Sequence, residues 1–346
     1  MEQRKVQQVG GGTYTVSLPK RWAERTGITA GKTVHIDVHG DEQLVIEPES
    51  PADDATSRVQ LTVGDEPPNR LERTVKAAYA AGFEELVLQA PEGFSSAQRQ
   101  AVEQVASGFV GVALTTETET ELIVRALLDA TEVSVRQSVR QLRFTALSMH
   151  RDAMAALVDD EAPPAADRED EADRLYAMID RHFGRGLSRL DEVDALGLSR
   201  SELFELRTAA RELERVADNA ETIGAVAAAV DTLPDALPAD KLRVIGRDAL
   251  SVVERGTAVV VGDGDTDVAN DALETREATR SAVEALDREL ADPAGDYRLG
   301  RALDALRRTV ESGGTIAELG LRAATRRGEF TPPESAAPAG DGEGDR

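Results

Sequence analysis

Strand-type runs end near residue 126 of this 346-residue chain, and from there to about residue 328 only long helical stretches remain. They break at 159–166, 196–199, 231–240, 261–267 and 291–296, which predicts six helices. Amphipathic helices of that length must bury their apolar stripes against one another, so the C-terminal region is predicted to be all-α. Aligning residues 213–223 with 306–316 superposes leucine, arginine, threonine and isoleucine: Leu213 on Leu306, Arg215 on Arg308, Thr222 on Thr315 and Ile223 on Ile316. Both stretches lie on the third helix of a triplet. A duplicated three-helix bundle follows.

The preceding residues divide twice more. Residues 1–48 read as short strands around one short helix: 4–9, a Gly10-Gly11-Gly12 turn, 13–18, a helical turn from Pro19, then 33–38 and 43–47 joined at Gly40-Asp41. A linker at 48–56 ends this unit. Residues 57–125 alternate strand 58–63, helix 70–81, strand 85–89, helix 96–106 and strands 111–116 and 121–125, an order that suits a small α/β connector with a split-βαβ sheet. The tail, 331–346, is rich in Pro, Gly, Ala and acid and is expected to be disordered. The chain is therefore multidomain.

The absence of cysteine excludes disulfides, thiolate zinc sites, iron–sulfur clusters and cysteine nucleophiles, leaving oxygen ligands and four histidines for any metal. No apolar run is long enough to cross a bilayer and the start is polar, so no membrane insertion and a cytoplasmic location are expected. With 64 acidic against 40 basic residues, a net charge of −24, 35 arginines, 5 lysines and 3% aromatics, the composition resembles that of extreme halophiles. That charge argues against general affinity for nucleic acid. Residues 1–36 reverse it: six cations, Arg4, Lys5, Lys20, Arg21, Arg25 and Lys32, face only Glu2 and Glu24.

Several patterns fail on geometry. Gly27 to Thr33 looks like a phosphate loop but has one residue too few between its glycines, and it runs from helix into strand. His35 and His39 lie on an alternating strand, where four residues separate them by roughly 13 Å, too far to share a metal. His150 and His182 read as surface or packed helix residues. No nucleophile accompanies a histidine base and no cofactor loop is present, so neither catalysis nor an organic cofactor is expected.

In residues 2–48 the elements Lys5 to Gly10, Tyr14 to Leu18, Pro19-Lys20-Arg21-Trp22, Gly27-Ile28, Gly31-Lys32-Thr33-Val34 and Leu44-Val45-Ile46-Glu47-Pro48 occur in order. This resembles the AbrB/SpoVT (MazE-like) DNA-binding domain. The resemblance implies a swapped-hairpin β barrel formed by a homodimer, and fewer than 50 residues cannot bury a core alone. DNA is then the partner, met by Arg4 and Lys5 on the first strand and by Lys20, Arg21 and Arg25 around the short helix.

In the helical half, Leu213, Val216, Ala217, Ala220 and Ile223 form an apolar face while Glu214, Asp218 and Glu221 share an acidic stripe of roughly 60°. Glu169, Asp170 and Asp173 form a second cluster on the preceding helix. The stretch Glu212-Leu213-Glu214-Arg215-Val216-Ala217-Asp218-Asn219, with Glu169-Glu171-Asp173 before it, resembles the PhoU family of phosphate-signalling proteins. That resemblance covers about residues 120–328. It implies two three-helix bundles whose acidic motifs ligate divalent iron, manganese or magnesium, here through Glu169, Asp173, Glu214 and Asp218. In the second repeat Arg307 stands where Glu214 does and Glu311 where Asp218 does, so a second metal site is expected to be lost. Together the resemblances imply a DNA-binding regulator of phosphate uptake, with the phosphate transporter or its ATPase subunit as a further partner. Two alternatives differ in class: a signalling protein that acts on a transporter or kinase without DNA, and a MazE-like antitoxin.

Overall fold

The computed structural model describes residues 3–38, 44–47, 58–159, 167–230, 232–234, 237–290 and 297–329. The predicted turn at Gly40-Asp41, the linker 48–56 and the tail 331–346 lie outside them, as does His39.

The N-terminal region contains β1 (Gln7–Val9), β2 (Thr13–Thr15), α1 (Lys20–Arg25), β3 (His35–Val38) and β4 (Leu44–Glu47). β1 pairs antiparallel with β2 and β3 antiparallel with β4, as two separate two-stranded sheets. Among the described residues the two hairpins do not pair with each other. Gly27, at φ +70°, terminates α1, where the Ile28 amide donates to the Ala23 carbonyl. This glycine is a helix stop, which removes the phosphate-loop reading.

The connector follows as β5 (Arg58–Thr62), α2 (Pro68–Ala80), β6 (Glu85–Gln89), α3 (Ser96–Ser107), β7 (Val112–Glu117) and β8 (Glu121–Ala126). All six predicted elements are present. The strand order is β5-β6-β8-β7, with β5 and β6 parallel and the other pairs antiparallel. Because β5 lies directly beside β6, the βαβ unit is not split, contrary to expectation. Leu86, Val87 and Leu88 are all buried, so the central strand is covered on both faces. Leu71 and Val75 of α2 and Val102 of α3 pack on Leu88, Leu122 and Val124 of the sheet. A capping box between Ser95 and Gln98 fixes the start of α3.

The remainder is helical: a 3₁₀ turn at Ala130–Glu132, then α4 (Val135–Asp159), α5 (Asp167–Ser188), α6 (Leu190–Ala195), α7 (Arg200–Ala227), α8 (Ala239–Val261), α9 (Thr266–Leu290) and α10 (Tyr297–Arg327). Among the described residues there are seven helices rather than six. The extra one, α6, forms because Glu192 folds back to pair with His182 and Arg185, burying Val193 beneath it. The long helices make the two predicted triplets, α4, α5, α7 and α8, α9, α10, which join through α7 against α10 and α4 against α8. The predicted apolar face of α7 is buried throughout, and Leu306 and Ile316 are equally buried at the repeated positions. Close helix approach there depends on glycine: a Cβ on Gly256 of α8 would sit 2.8 Å from the backbone nitrogen of Ala317.

Candidate metal centre and nucleic-acid interface

α7 begins at a capping box in which the Ser199 hydroxyl accepts from the Glu202 amide and the Glu202 carboxylate from the Ser199 amide. With its apolar face fixed in the core, Glu214, Asp218 and Glu221 are held on the edge that meets α5. Asp173 of α5 comes to them, and one oxygen from each of Asp173, Glu214 and Asp218 lies within 4.8 Å of the others. Three carboxylates that close, with nothing cationic between them, are a donor set for a hard divalent cation.

Electrostatics agree with that chemistry. Partial burial, followed by the charge of Asp218, pushes the Glu214 carboxyl up to about 7 from its ordinary 4.5. Burial and then Asp173 raise Asp218. Asp173 is raised by burial too, with Lys76 of α2 opposing the shift. Arg211 reaches Glu214 at 3.2 Å, its guanidinium lying 5.1 Å over the Tyr176 ring, and so offsets part of the repulsion from outside the triad.

Of the four expected ligands, the structure gathers Asp173, Glu214 and Asp218. Glu169 sits one turn away, where it shares a hydrogen bond with Glu221 and is raised by burial and by that neighbour's charge. It borders the triad without joining it, because its nearest carboxylate is Glu221. Glu171 of the companion motif turns toward α4 and accepts from Gln141 at 2.9 Å, and Asp170 faces Arg174. In the second bundle Glu311 is paired with Arg276 of α9, and Arg307 with Asp304. Arg276 reaches across from α9 to pair with Glu311, whereas in the first bundle Arg211 pairs with Glu214 from the same helix.

The triad opens into a cleft of about 500 Å³ between α5 and the connector helices α2 and α3, lined by Lys76, Gln104, Asp173 and Glu214. Sequence reasoning missed how the connector is attached. Arg181 of α5, buried, donates to the Tyr79 and Phe83 carbonyls at 2.8 and 2.9 Å and lies over the Tyr79 ring, which itself stacks on Phe109. Arg185 bridges Glu192 and Glu84 and donates to the Gly82 carbonyl. His182 Nδ1 is 2.6 Å from Glu192 Oε1, so this histidine is a networked residue rather than an isolated one. His150 is packed: it is fully buried, neither ring nitrogen has a partner among the described residues, and burial lowers it to about 4, which keeps it neutral.

At the N-terminal end Arg4, Lys5, Lys20, Arg21 and Arg25 are all exposed. Lys20 lies 3.7 Å from Glu24 across one turn of α1. Val6, Val9, Tyr14, Val16, Ile36, Val38 and Leu44 are exposed here as well, seven of the thirteen large apolar side chains found exposed among the described residues. Among the described side chains of 3–38 none is buried.

Residues 7–54 match the family described as antidote-toxin recognition MazE, bacterial antitoxin. Residues 139–227, which carry the triad residues, match the PhoU domain. One stretch of the chain is therefore similar to a MazE-type domain and another to the PhoU domain, both of them regulatory, non-catalytic families. Among solved structures, PhoU from Pseudomonas aeruginosa is similar at 19% identity with a TM-score of 0.44, over 56% of this chain and 96% of that one. No curated protein matches the chain. Among the described residues no helix is long and apolar enough to cross a membrane.

Proposed function

We propose that the protein is a cytoplasmic, homodimeric DNA-binding regulator that adjusts phosphate-uptake genes to phosphate status through its PhoU domain. The observation that carries this reading is the joining, in one chain, of an exposed basic MazE-like unit to a PhoU domain that holds an acidic triad. The seven exposed apolar residues of the N-terminal region are the surface a second copy would cover, closing the swapped-hairpin barrel and doubling the basic face. Arg4, Lys5, Lys20, Arg21 and Arg25 then contact phosphates and base edges of a two-fold operator.

Asp173, Glu214 and Asp218 hold a divalent cation of iron, manganese or magnesium type, with Glu169 placed to accept a metal-bound water or to close in as a fourth ligand. The cation supplies positive charge that relieves the repulsion between α5 and α7. The second bundle, closed internally by Arg276 and Glu311, holds none.

A DNA-shift titration of the full chain against a variant lacking residues 1–50 tests the reading. Loss of binding in the truncated protein supports it. Equal binding by both refutes it, and no binding by either leaves a PhoU-type protein that acts on a transporter, its ATPase subunit or a kinase without DNA. The family description brings a second reading, a MazE-like antitoxin. Co-purification of a toxin on the N-terminal unit would favour it.

A further inference from the structure

We infer that the outer edge of β5 is a homodimer surface: two copies of the chain pair antiparallel along it and join their four-stranded connector sheets into one. β5 is the terminal strand of the order β5-β6-β8-β7, and among the described residues no strand lies on its other side. Its inner edge is engaged. The Val63 amide donates to the Gln89 carbonyl at 2.7 Å, and β5 runs parallel to β6 in unbroken register from Arg58 to Thr62. By the alternation of a parallel ladder, Val59 and Leu61 also bond to β6, while Arg58, Gln60 and Thr62 turn their amides and carbonyls outward.

An edge of this kind templates another strand unless something blunts it. The far edge is blunted. β7 slips register at Thr115, between the pairs Leu114–Val124 and Thr116–Ile123, and it ends in the charge of Glu117. β5 has no bulge and no proline, and its one charge, Arg58, is already paired with Glu85 at 3.0 Å. Five regular residues are left with one side unpaired.

The sequence of β5 fits a second copy of itself. Set about a two-fold axis at Gln60, the strand places Gln60 opposite Gln60 and Arg58 opposite Thr62, so no like charges meet. These positions are two residues apart and share one pair type, which gives about six backbone hydrogen bonds, two at each pair. Val59 and Leu61, half-buried on the helix-covered side, meet across the axis and extend the connector core. On the open side Gln60 donates to Gln89 Oε1 at 2.8 Å and Gln89 donates to Glu121 at 3.3 Å. The other amide hydrogen and the side-chain carbonyl of Gln60 are left for the same groups of the second copy, which continues the ladder through the axis.

The inference rests on the proposed homodimer only for the nearness of the two copies. β4 ends at Glu47 and β5 begins at Arg58, so the intervening chain spans at most about 40 Å and tethers the β5 edges of an N-terminal dimer within reach of each other. The pairing itself is carried by β5.

The test uses the full chain, which has no cysteine of its own. Gln60→Cys sets two thiols opposite each other at a Cα separation of about 5.5 Å, within disulfide range, and mild oxidation is expected to link most of the protein into covalent dimers. Arg58→Cys and Thr62→Cys each lie roughly 13 Å from their own counterparts and should not link alone, whereas the two coexpressed should link to each other. Gln60→Pro, added to the coexpressed pair, removes an outward amide without touching β6 and is expected to slow linking at least tenfold. Thr115→Cys on β7 is the control and should stay unlinked, with circular dichroism verifying that each variant is folded. Failure of either Gln60→Cys or the coexpressed pair to link overturns the inference, as does equally fast linking by Thr115→Cys. An edge taken by an extended peptide of another protein would also leave Gln60→Cys unlinked. Light scattering separates the two readings: a mass of two chains without a link leaves the N-terminal dimer standing, and a mass of one chain removes both.

Discussion

Neutralising Glu214 should stabilise the metal-free protein and destabilise the metal-loaded one. The folded chain raises this carboxyl from 4.5 to about 7, chiefly by burial and by the Asp218 charge. At about 1.4 kcal/mol per unit, ionising it in the fold costs roughly 3 kcal/mol more than ionising it in the unfolded chain. The unfolded chain releases the proton near 4.5 and the folded one near 7, so between those values the folded state holds more protons. Stability from this group therefore falls as pH rises through that window, with the full cost present above 7. Glu214→Gln keeps the shape and an acceptor for Arg211 while removing the charge. In chelator at pH 8 the variant should be more stable by about 1–3 kcal/mol, the lower figure allowing for the lost Arg211 attraction. At pH 4 the difference should vanish, because the wild-type carboxyl is then protonated. Millimolar manganese should reverse the order, since a cation at a hundred times its dissociation constant adds about 2.7 kcal/mol to whichever protein binds it. Urea denaturation followed by far-ultraviolet circular dichroism reads all three conditions. A wild type at least as stable as the variant at pH 8 in chelator would show that Arg211 and Lys76 already neutralise the triad, and the argument would fail.

Other outcomes follow from the same geometry. Replacing Lys20 and Arg21 together by alanine should weaken DNA binding and flatten the slope of log affinity against log salt by about 1–2 per chain, and an unchanged slope removes them from the interface. Asp218→Ala should lower metal content measured by mass spectrometry of the dialysed protein, whereas Glu311→Ala should leave it unchanged because that carboxylate serves Arg276. Arg181→Met strips the Tyr79 and Phe83 carbonyls of their donor and should cost about 1–3 kcal/mol, read as earlier proteolysis between the connector and the bundle. Cleavage at the wild-type rate would mean that Arg185 and Glu84 suffice to hold the connector.

Much of the helical architecture could be read from periodicity, because the residues that set it are apolar and local. The face running from Leu213 to Ile223 is buried as its spacing requires, and Leu306 and Ile316 repeat it. The six connector elements were equally visible, but their pairing was not. Whether β5 neighbours β6 directly depends on where β8 inserts, and strand order leaves no trace in the alternation of any one strand. The site shows the same division. Glu214 and Asp218 share a helix face by spacing alone, whereas the membership of Asp173 and the deflection of Glu169 toward Glu221 depend on the rotation of α5 against α7. The contacts of Arg181 and Arg185 with the connector were illegible for the same reason: their partners there, Tyr79, Phe83 and Glu84, lie about 100 positions away. Helix α6 was hidden because six residues make no period, and Glu192 holds it in place through a tertiary contact.

The duplication gives the two bundles different dependence on an added cation. In the second, Arg276 reaches from α9 to Glu311 of α10, so the spacing of that helix pair is set by an ion pair within the chain. In the first, Asp173 of α5 faces Glu214 and Asp218 of α7 with like charge, and that spacing changes in energy when a cation arrives or leaves. α5 also carries Arg181 and Arg185, eight and twelve residues further on, or about 12 and 18 Å along a continuous helix. Those arginines hold the α2–β6 turn of the connector by its carbonyls, and α2 in turn sets Lys76 toward Asp173. The connector thus places the Lys76 charge near the triad and is fastened to the helix that carries Asp173. Under the proposed reading, any free energy a cation gains by drawing α5 toward α7 acts on the connector through the same helix, and the reciprocal must hold: a connector held in one position by bound DNA changes the affinity of the triad by the same factor.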